Sequence, residues 1–345
     1  MILVFSEVCV VKLVNCPHKI QQYLESEGLI HHSISQNNTE VSIEVHFTEV
    51  NQKKILQKLH PNACLTEKGF ALHDDKEKQI YPDYNFQEKA MIVSDSDISG
   101  SLFWDVLFDH IKLYLLKKNI VTLHAAGLKK DAEAILFFGW DGTGKSSLLT
   151  DSLYNGCQYL GDDRIFLSSE GMVAPLFVSI KQFHHELVHY PQLTQKLSFK
   201  KRLFINWSQK LDKKQTKINS LLLKLFRKLK LNYEVIPVAS LSELENSFSK
   251  MGTSFYINKT NAEDTRIELD ETLLQRLASN VVYADADLLK RYYTALFSGR
   301  INTIDRLDNL YRHVYNILSK TIDTKNIKSI NINHTTHINC RLWDS

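Results

Sequence analysis

Apolar and polar positions alternate over short stretches in the first hundred residues, the pattern that is typical of half-buried β-strands. This alternation predicts strands at residues 2–13, 40–47, 70–73 and 89–94. Residues 51–59 carry apolar side chains at helical spacing and predict a short helix, and the polar triplet 74–76 predicts a hairpin turn. We therefore expect a small α+β domain over residues 1–100.

From residue 101 onward, longer helical periodicities alternate with short apolar runs. Residues 101–118 predict a largely buried helix with Asp105, Asp109 and Lys112 as a narrow polar stripe. Strands are predicted at 120–125, 134–138, 173–180, 234–240 and 254–257. Residues 158–160 and 164–167 flank Gly161-Asp162-Asp163 and predict one further strand, which carries this acidic pair. Helices are predicted around 273–277 with Asp270 as its cap, at 286–297 ending at Gly299, and at 304–318. The pattern is that of an α/β core over residues 101–320, followed by a polar tail over residues 321–345.

The composition is ordinary for a soluble globular protein, with 43% hydrophobic and 23% charged residues among 345. The length predicts two domains. The sequence holds no run of 18 apolar residues, and its first residues lack the basic region of a signal peptide, so we expect no transmembrane span. The five cysteines form no C-x-x-C pair and fit a reducing compartment. We therefore expect a cytoplasmic protein.

The net charge of +3 hides a strongly basic insert at residues 196–232. Between residues 196 and 230 there are twelve Lys or Arg residues and one acid, Asp212. The insert includes a cationic amphipathic stretch, 221–231, which is compatible with an acidic peptide, a membrane surface, nucleic acid, or a solvated helix packed on the protein. Because no nucleic-acid-binding signature accompanies the charge, we favour an acidic peptide as partner over nucleic acid.

The chemistry of the chain is indicated first by residues 139–146, which read G-W-D-G-T-G-K-S and match the phosphate-loop pattern G-x-x-x-x-G-K-[ST]. An apolar run precedes them and a helix-compatible segment follows, as this motif requires. Glycines let backbone N–H groups surround an anion, and the helix N-terminus adds positive partial charge. The predicted nucleotide-binding residues are Gly139, Asp141, Gly142, Thr143, Gly144, Lys145, Ser146 and Ser147. Lys145 is expected to bind the outer phosphates of ATP, and the Ser146 hydroxyl a Mg²⁺ ion.

A second feature is the acidic pair Asp162-Asp163, which follows Lys145 after one helix and one strand. Phosphoryl transfer needs a metal ligand near the phosphates and often a carboxylate that accepts the proton of the attacking hydroxyl. Two adjacent carboxylates at a strand end can supply both. His124 ends the strand before the loop strand, where it can reach a phosphate or a metal, although a single histidine there is also compatible with a structural role.

These three runs together carry a resemblance to a known family. L-H-A-A at 123–126, the phosphate loop, and Y-L-G-D-D-R-I at 159–165 resemble the core of the HPr kinase/phosphorylase-like kinases, over about residues 120–182. The same runs are similar to ATP-type phosphoenolpyruvate carboxykinase, whose nucleotide fold is related. The resemblance implies ATP, Mg²⁺ and transfer of the γ-phosphate to a hydroxyl, typically a serine of a protein or peptide.

The resemblance also implies a role for individual residues. Asp162 would be the general base and Asp163 the metal-side carboxylate, with the reverse order left open. His124 matches the phosphate-proximal histidine of the family and would act with Lys145 in catalysis, and Lys181 matches a basic residue that borders the site on the substrate side.

The chain departs from the family in two respects, since the C-terminal signature of true HPr kinase/phosphorylases is missing and the basic insert is foreign to their core. The layout is more similar to divergent members that act on ribosomal peptide precursors, such as lasso peptides. Three alternatives stay open: a kinase of a small hydroxy compound, a carboxykinase-like lyase, and a nucleotide-regulated binding module. Residues 185–189 also fit the zinc-protease pattern H-E-x-x-H, but Pro191 would end any helix there. The sequence leaves the oligomeric state open, and a homo-oligomer is compatible with it.

Overall fold

The computed structural model describes residues 1–5, 7–32, 40–49, 55–140, 142–183, 187, 199, 202–203, 205–207, 233–236, 244, 247–259, 272–299, 301–302, 305–323 and 327–332. The chain divides into two compact units. The larger unit comprises Met1–Val178 with Ser242–Ser345, and the smaller comprises Ser179–Leu241.

The larger unit begins with a mixed eight-stranded sheet in the order β1-β2-β3-β8-β7-β6-β5-β4. Its strands are β1 Ile2–Phe5, β2 Cys9–Val14, β3 Ile43–Thr48, β4 Ile55–His60, β5 Ala63–Thr66, β6 Gly69–His73, β7 Gln79–Tyr81 and β8 Ala90–Asp95. β3 is parallel to both β2 and β8, and the other neighbours are antiparallel. Helix α1 (His18–Ser26) and a 3₁₀ helix (Leu29–His32) follow β2, and α2 (Gly100–Lys117) follows β8. Buried aliphatic residues of the strands and of both helices share one apolar core.

Two predictions for this sheet are wrong. Residues 2–13 form an antiparallel pair of strands rather than one, and the chain reverses near Glu7, whose φ of 56° is left-handed. Residues 55–60 form β4 instead of part of a helix. The spacing of Ile55 and Leu59 fits a helix face equally well, and pairing with β5 decides for the strand. The strands predicted at 70–73 and 89–94 and the turn at 74–76 are confirmed.

A second mixed sheet follows in the larger unit, in the order β12-β10-β11-β17-β14-β13-β9, with β18 also paired to β17. Its strands are β9 Ile120–Leu123, β10 Ala125–Lys130, β11 Glu133–Gly139, β12 Gln158–Gly161, β13 Ile165–Ser168, β14 Met172–Ala174, β17 Ser249–Lys259 and β18 Ile327–Ile332. The intervening strands, β15 (Ile180–Phe183) and β16 (Tyr233–Ile236), belong to the smaller unit. β11 is parallel to β17 and antiparallel to β10. Its last six residues are buried, so β11 lies at the centre of the sheet.

Three of the strands predicted between residues 120 and 180 are interrupted. The run 120–125 breaks at His124 into β9 and β10, which pair with different neighbours. The acidic pair Asp162-Asp163 lies on the connection between β12 and β13 rather than within a strand. The run 173–180 contains the end of β14 and the first residue of β15. Each break falls where the chain leaves one pairing partner for another, which apolar character alone does not reveal.

The remaining helices of the larger unit are α3 Lys145–Tyr154, α4 Thr272–Ala284, α5 Ala286–Phe297, α6 Asp305–Asp308 and α7 Leu310–Thr321. The bounds predicted for α5 are confirmed, and Gly299, with a φ of 68°, follows its C-terminus as expected. The predicted cap of α4, Asp270, lies outside the described residues. Buried side chains of α4, α5 and α7 join the apolar core to which α2 contributes. Residues 327–332 of the predicted tail form β18, parallel to β17.

In the smaller unit, β15 and β16 form an antiparallel pair in which Ile180 lies opposite Ile236. Most of the basic insert lies outside the described residues, as do both histidines of the H-E-x-x-H run. Among the helices that the structure describes, none combines the length and apolar character needed to cross a membrane.

Candidate functional site

The glycine-rich loop joins the end of β11 to the start of α3, in the strand–loop–helix order that the sequence predicts. Because β11 is held between β10 and β17, the position of Gly139 at its end is fixed by the sheet. A Cβ atom on Gly139 would lie 2.7 Å from Thr143 Oγ1 and 2.9 Å from the carbonyl oxygen of Ile257. Gly144, just before the helix, has a φ of 96°, a conformation that favours glycine. The loop geometry therefore depends on glycine at both ends.

The N-terminus of α3 differs from that of α2 in the way it is capped. The hydroxyl of Ser99 caps α2 by accepting a hydrogen bond of 3.4 Å from the N–H of Leu102. The residue at the same place before α3 is Gly144, which has no side chain that could do this. A helix that begins directly after a glycine loop presents its first N–H groups and its positive partial charge to an anion.

Lys145 brings a buried positive charge to this helix start. Its side chain belongs to a residue that is only 7% exposed. Its Nζ donates to the carbonyl oxygens of Gly139 at 2.8 Å and of Trp140 at 3.1 Å, and lies 3.2 Å from Nε2 of His124. Burying an ammonium group is costly unless polar partners surround it, and these contacts offset that cost. The arrangement concentrates positive charge at the loop, as phosphate binding requires.

The acidic pair lies beside this charge, with its two carboxylates on different partners. Asp162 Oδ1 accepts a hydrogen bond of 2.8 Å from Ser146 Oγ. Asp163, with a left-handed φ of 69°, turns away and places its Oδ1 3.3 Å from Nδ1 of His124. The Asp163 side chain is 60% exposed, whereas that of His124 is 9% exposed. The structure thus brings together five of the predicted site residues, and it gives Asp162 and Asp163 distinct surroundings.

The donor set around Ser146 fits a hard divalent cation that takes oxygen ligands. Among the residues that the structure describes, no group of three or more His, Cys, Asp or Glu side chains could hold a metal. Ser146 and Asp162 nevertheless place a hydroxyl and a carboxylate oxygen 2.8 Å apart next to the phosphate loop. Mg²⁺ prefers such oxygen donors, takes few of them from protein, and completes its octahedral shell with water and phosphate oxygens. The two residues therefore fit Mg²⁺ bound together with a nucleotide.

Arg164, which sequence reasoning did not single out, anchors the acidic turn to the C-terminal helices. Its guanidinium donates to the carbonyl oxygen of Ala284 at 2.8 Å and lies 3.7 Å from Asp285 Oδ1. Its Nε lies 3.8 Å from Oδ2 of Asp163. The arginine therefore connects the turn that carries the carboxylates to the junction between α4 and α5. Its adjacency to the acidic pair was the available sequence signal.

The polar stripe of α2 continues this anchor into the protein. Lys112 Nζ lies 3.0 Å from Asp285 Oδ1 and 3.4 Å from Asp109 Oδ1. Asp109 also accepts two hydrogen bonds from Arg291, at 2.6 and 2.9 Å. Burial opposes the charge of Arg291, but its hydrogen bonds and attraction to Asp109 prevail and raise its pKa above the ordinary value. Two residues of the stripe predicted on α2, Asp109 and Lys112, thus form ion pairs with Arg291 of α5 and with Asp285 just before it.

The other predicted residues have different locations. Thr143 Oγ1 donates to the carbonyl oxygen of Trp140 at 2.7 Å, which closes the loop on itself. Gly142, with a φ of 74°, lies in the loop, and Ser147 lies in the first turn of α3. Asp141 lies outside the described residues. Lys181 belongs to β15 of the smaller unit, where its backbone is opposite Val235.

Comparison with known proteins gives partial matches to one kind of enzyme. The chain is 30% identical over 117 residues to "Phosphoenolpyruvate carboxykinase (ATP)" of Leptospira biflexa, which covers 32% of this chain and 21% of that protein. It is 33% identical over 89 and 91 residues to the enzymes of the same name from Neurospora crassa and Zea mays, covering 26% of this chain and 14% and 13% of theirs. The chain thus spans about a fifth or less of the length of these relatives. No family profile matches it. The similarity and the two mixed sheets are consistent with an α/β nucleotide-binding fold.

Proposed function

We propose that this protein is an ATP- and Mg²⁺-dependent phosphotransferase that moves the γ-phosphate of ATP to a serine-type hydroxyl of a peptide or protein. One observation carries the proposal. Lys145, Ser146, His124, Asp162 and Asp163 come from three separate segments of the chain and meet at the N-terminus of α3. The partial similarity to ATP-type carboxykinases supports the nucleotide half of the proposal. The basic insert supports an acidic peptide as the acceptor half.

In this proposal the loop and Lys145 hold the triphosphate. The first N–H groups of α3 and the loop backbone bind the phosphate oxygens, and the Lys145 ammonium exchanges its contacts with the carbonyls of Gly139 and Trp140 for the outer phosphates. Mg²⁺ would supply positive charge that stabilises the negative charge developing on the outer phosphates. Ser146 and Asp162 would hold that ion, because their oxygens are adjacent at the loop.

The contacts of the two carboxylates lead us to propose the reverse of the roles that the family resemblance implies. Asp162 bonds to the phosphate-loop serine, which is the place of a metal-side carboxylate. Asp163 is more exposed and faces His124, so we assign it the proton of the acceptor hydroxyl. As that proton moves to Asp163, the acceptor oxygen forms a bond to the γ-phosphorus and the bond from the β–γ bridging oxygen breaks, releasing ADP. His124, between Lys145 and Asp163, orients the carboxylate and adds positive charge when protonated.

A first experiment tests the reaction and names the acceptor class. The protein is incubated with Mg²⁺-ATP and, separately, with free serine, an HPr-type protein, acidic serine peptides, or oxaloacetate, and the products are identified by mass spectrometry. The proposal requires that a peptide or protein acceptor gain one phosphate on a hydroxyl with the wild-type protein. The Lys145→Met variant should produce no such gain. Conversion of oxaloacetate to phosphoenolpyruvate would instead favour a carboxykinase-like lyase, the second candidate, which the partial similarity supports. Tight ATP binding without any transfer would contradict the enzymatic reading altogether.

A second experiment separates the two carboxylates. Asp162→Asn should weaken Mg²⁺-dependent ATP binding, whereas Asp163→Asn should keep that binding and lower the transfer rate by about 10²–10⁴-fold. Asp151→Asn, on the body of α3, is the matched control and should change neither. If Asp163→Asn loses Mg²⁺-dependent binding while Asp162→Asn loses only the transfer rate, the order implied by the family resemblance is the right one.

A further inference from the structure

Two large aromatic side chains lie in contact at the surface beside the phosphate loop. The ring centroids of Trp140 and Tyr283 are 5.3 Å apart and their planes are tilted by 32°. Trp140 is 54% exposed and Tyr283 is 63% exposed, so neither ring belongs to the apolar core. Aromatic rings left exposed side by side next to a candidate site are typical of a surface that a ligand covers.

The position of Trp140 in the loop indicates which end of a bound triphosphate lies nearer to this aromatic pair. It is the second residue of the loop, and its carbonyl oxygen accepts a hydrogen bond of 3.1 Å from Lys145 Nζ. The lysine of this motif reaches the outer phosphates. In the proposed binding mode, Trp140 therefore lies at the γ-phosphate end, whereas the nucleobase would extend from the opposite, α-phosphate end of the nucleotide.

Tyr283 connects the same pair to the acidic turn. It directly precedes Ala284, whose carbonyl oxygen accepts the hydrogen bond of 2.8 Å from Arg164. Arg164 in turn follows Asp163 in the chain and lies 3.8 Å from its carboxylate. The backbone of Trp140 thus belongs to the phosphate loop, and that of Tyr283 adjoins the residue through which Arg164 holds the turn carrying Asp163. In the proposed reaction, a hydroxyl that reaches both the γ-phosphate and Asp163 would lie on the side of the site that carries these rings.

We propose that Trp140 and Tyr283 form an aromatic wall that binds an apolar or aromatic side chain next to the acceptor hydroxyl of a peptide. The inference rests on the proposed function and makes its acceptor more specific. The faces and edges of the two rings attract aromatic and aliphatic groups, and covering them removes apolar surface from water. A serine with a large apolar neighbour is therefore bound more tightly than a serine between glycines.

The test uses two acetylated and amidated tripeptides, Phe-Ser-Phe and Gly-Ser-Gly, with Mg²⁺ and the non-hydrolysable analogue AMP-PNP. Their dissociation constants are measured by calorimetry on the full chain, alongside those of AMP-PNP and inorganic triphosphate alone. The variants are Trp140→Ala and Tyr283→Ala. Tyr311→Ala is the matched control, since Tyr311 is 42% exposed and its ring also stacks on a neighbour, Tyr315.

The wild type should bind the phenylalanine-flanked peptide about tenfold more tightly than the glycine-flanked one. This preference should disappear in both wall variants and persist in Tyr311→Ala. Tyr283→Ala, whose substituted residue lies outside the phosphate loop, should leave the AMP-PNP and triphosphate affinities unchanged within about twofold. Weaker AMP-PNP binding with unchanged triphosphate binding would mean that the rings stack on the base, which overturns the inference. A wild type that binds nucleotide but does not distinguish the peptides overturns it too. Binding of neither AMP-PNP nor triphosphate would refute the proposed function itself, and this inference with it.

Discussion

His32 should make the protein less stable in mild acid, by an amount that one substitution can isolate. The imidazole is fully buried, with its ring 4.4 Å from that of Phe5 and 4.8 Å from that of Phe177, measured between centroids. Its Nδ1 lies 3.0 Å from the carbonyl oxygen of Val4, and its Nε2 accepts a hydrogen bond of 3.0 Å from the N–H of Phe177. Nε2 can accept a hydrogen bond only when the ring is neutral. A proton on Nε2 would therefore break the hydrogen bond from Phe177, through which His32 connects β1 to the chain after β14.

The size of the effect follows from the pKa. Burial lowers the pKa of His32 from 6.5 to about 3, against the opposing hydrogen bond to Val4. In the unfolded chain, the His32 ring therefore binds a proton below pH 6.5, whereas in the folded protein it binds one only near pH 3. This contribution to the free energy of unfolding is complete above pH 6.5 and is lost progressively as the pH falls toward 3. Between pH 7.5 and 5.0 the loss amounts to about 2 kcal/mol.

Urea unfolding at pH 7.5 and 5.0 measures this loss in the wild type and in His32→Gln, with His31→Gln as the control for an exposed neighbour. Other titrating groups, including the buried His110 whose pKa burial also lowers, act equally in all three proteins. The wild type and His31→Gln should therefore lose about 2 kcal/mol more than His32→Gln. Equal losses in all three proteins would refute the reasoning. So would an NMR titration in which the His32 ring of the wild type binds a proton near pH 6.5, a measurement that needs no variant to fold.

Three further predictions concern the site and its anchor. Asp109→Asn leaves the half-buried Arg291 guanidinium without its carboxylate and should lower the free energy of unfolding in urea by about 3–5 kcal/mol. Asp287→Asn, at an exposed position, should change it by under about 1 kcal/mol. Equal effects of the two substitutions would contradict the role assigned to the Asp109–Arg291 pair. Gly139→Ala places a Cβ 2.7 Å from Thr143 Oγ1 and should therefore weaken Mg²⁺-ATP binding, measured by calorimetry, by about tenfold or more. The circular dichroism spectrum should stay unchanged. An unchanged affinity for ATP would mean that the loop can widen without cost. Lys145→Met should weaken Mg²⁺-ATP binding by about a hundredfold. The control Lys130→Met, at the end of β10, should leave this affinity unchanged. Similar ATP affinities of the two variants would mean that the phosphates bind elsewhere.

The local signals in the sequence were sufficient for elements whose hydrogen bonds lie within a short stretch of chain. α5 forms at the predicted residues because its periodicity is long and Gly299 supplies the left-handed residue after its end. The turn at 74–76 forms as predicted because Asp74 Oδ1 accepts hydrogen bonds from the N–H groups of Lys76 and Lys78, at 2.9 and 3.0 Å. The loop of residues 139–146 likewise follows from fixed residue types at fixed spacing, because its glycines serve backbone conformations that few other residues adopt.

Pairing across the sheets was beyond those signals. Ile55 and Leu59 fit a helix as well as a strand, and the contact with β5 selected the strand. The run 120–125 predicts one strand, yet it divides at His124 because β9 pairs with β13 and β10 with β11 and β12. Such choices depend on residues distant in the chain, which a window of sequence does not contain.

By itself, the sequence determined the local elements of the candidate site: a phosphate-loop motif between a strand and a helix, an acidic pair at a fixed distance after it, and a histidine before it. The tertiary structure decided which contacts these residues make. It joined Asp162 to Ser146 and Asp163 to His124, anchored their turn through Arg164 to the junction of α4 and α5, and brought Tyr283 onto Trp140 from 143 positions further along the chain. The physical reason is that residue type fixes which bonds a side chain can make, whereas the packing of distant segments fixes which partner is within reach.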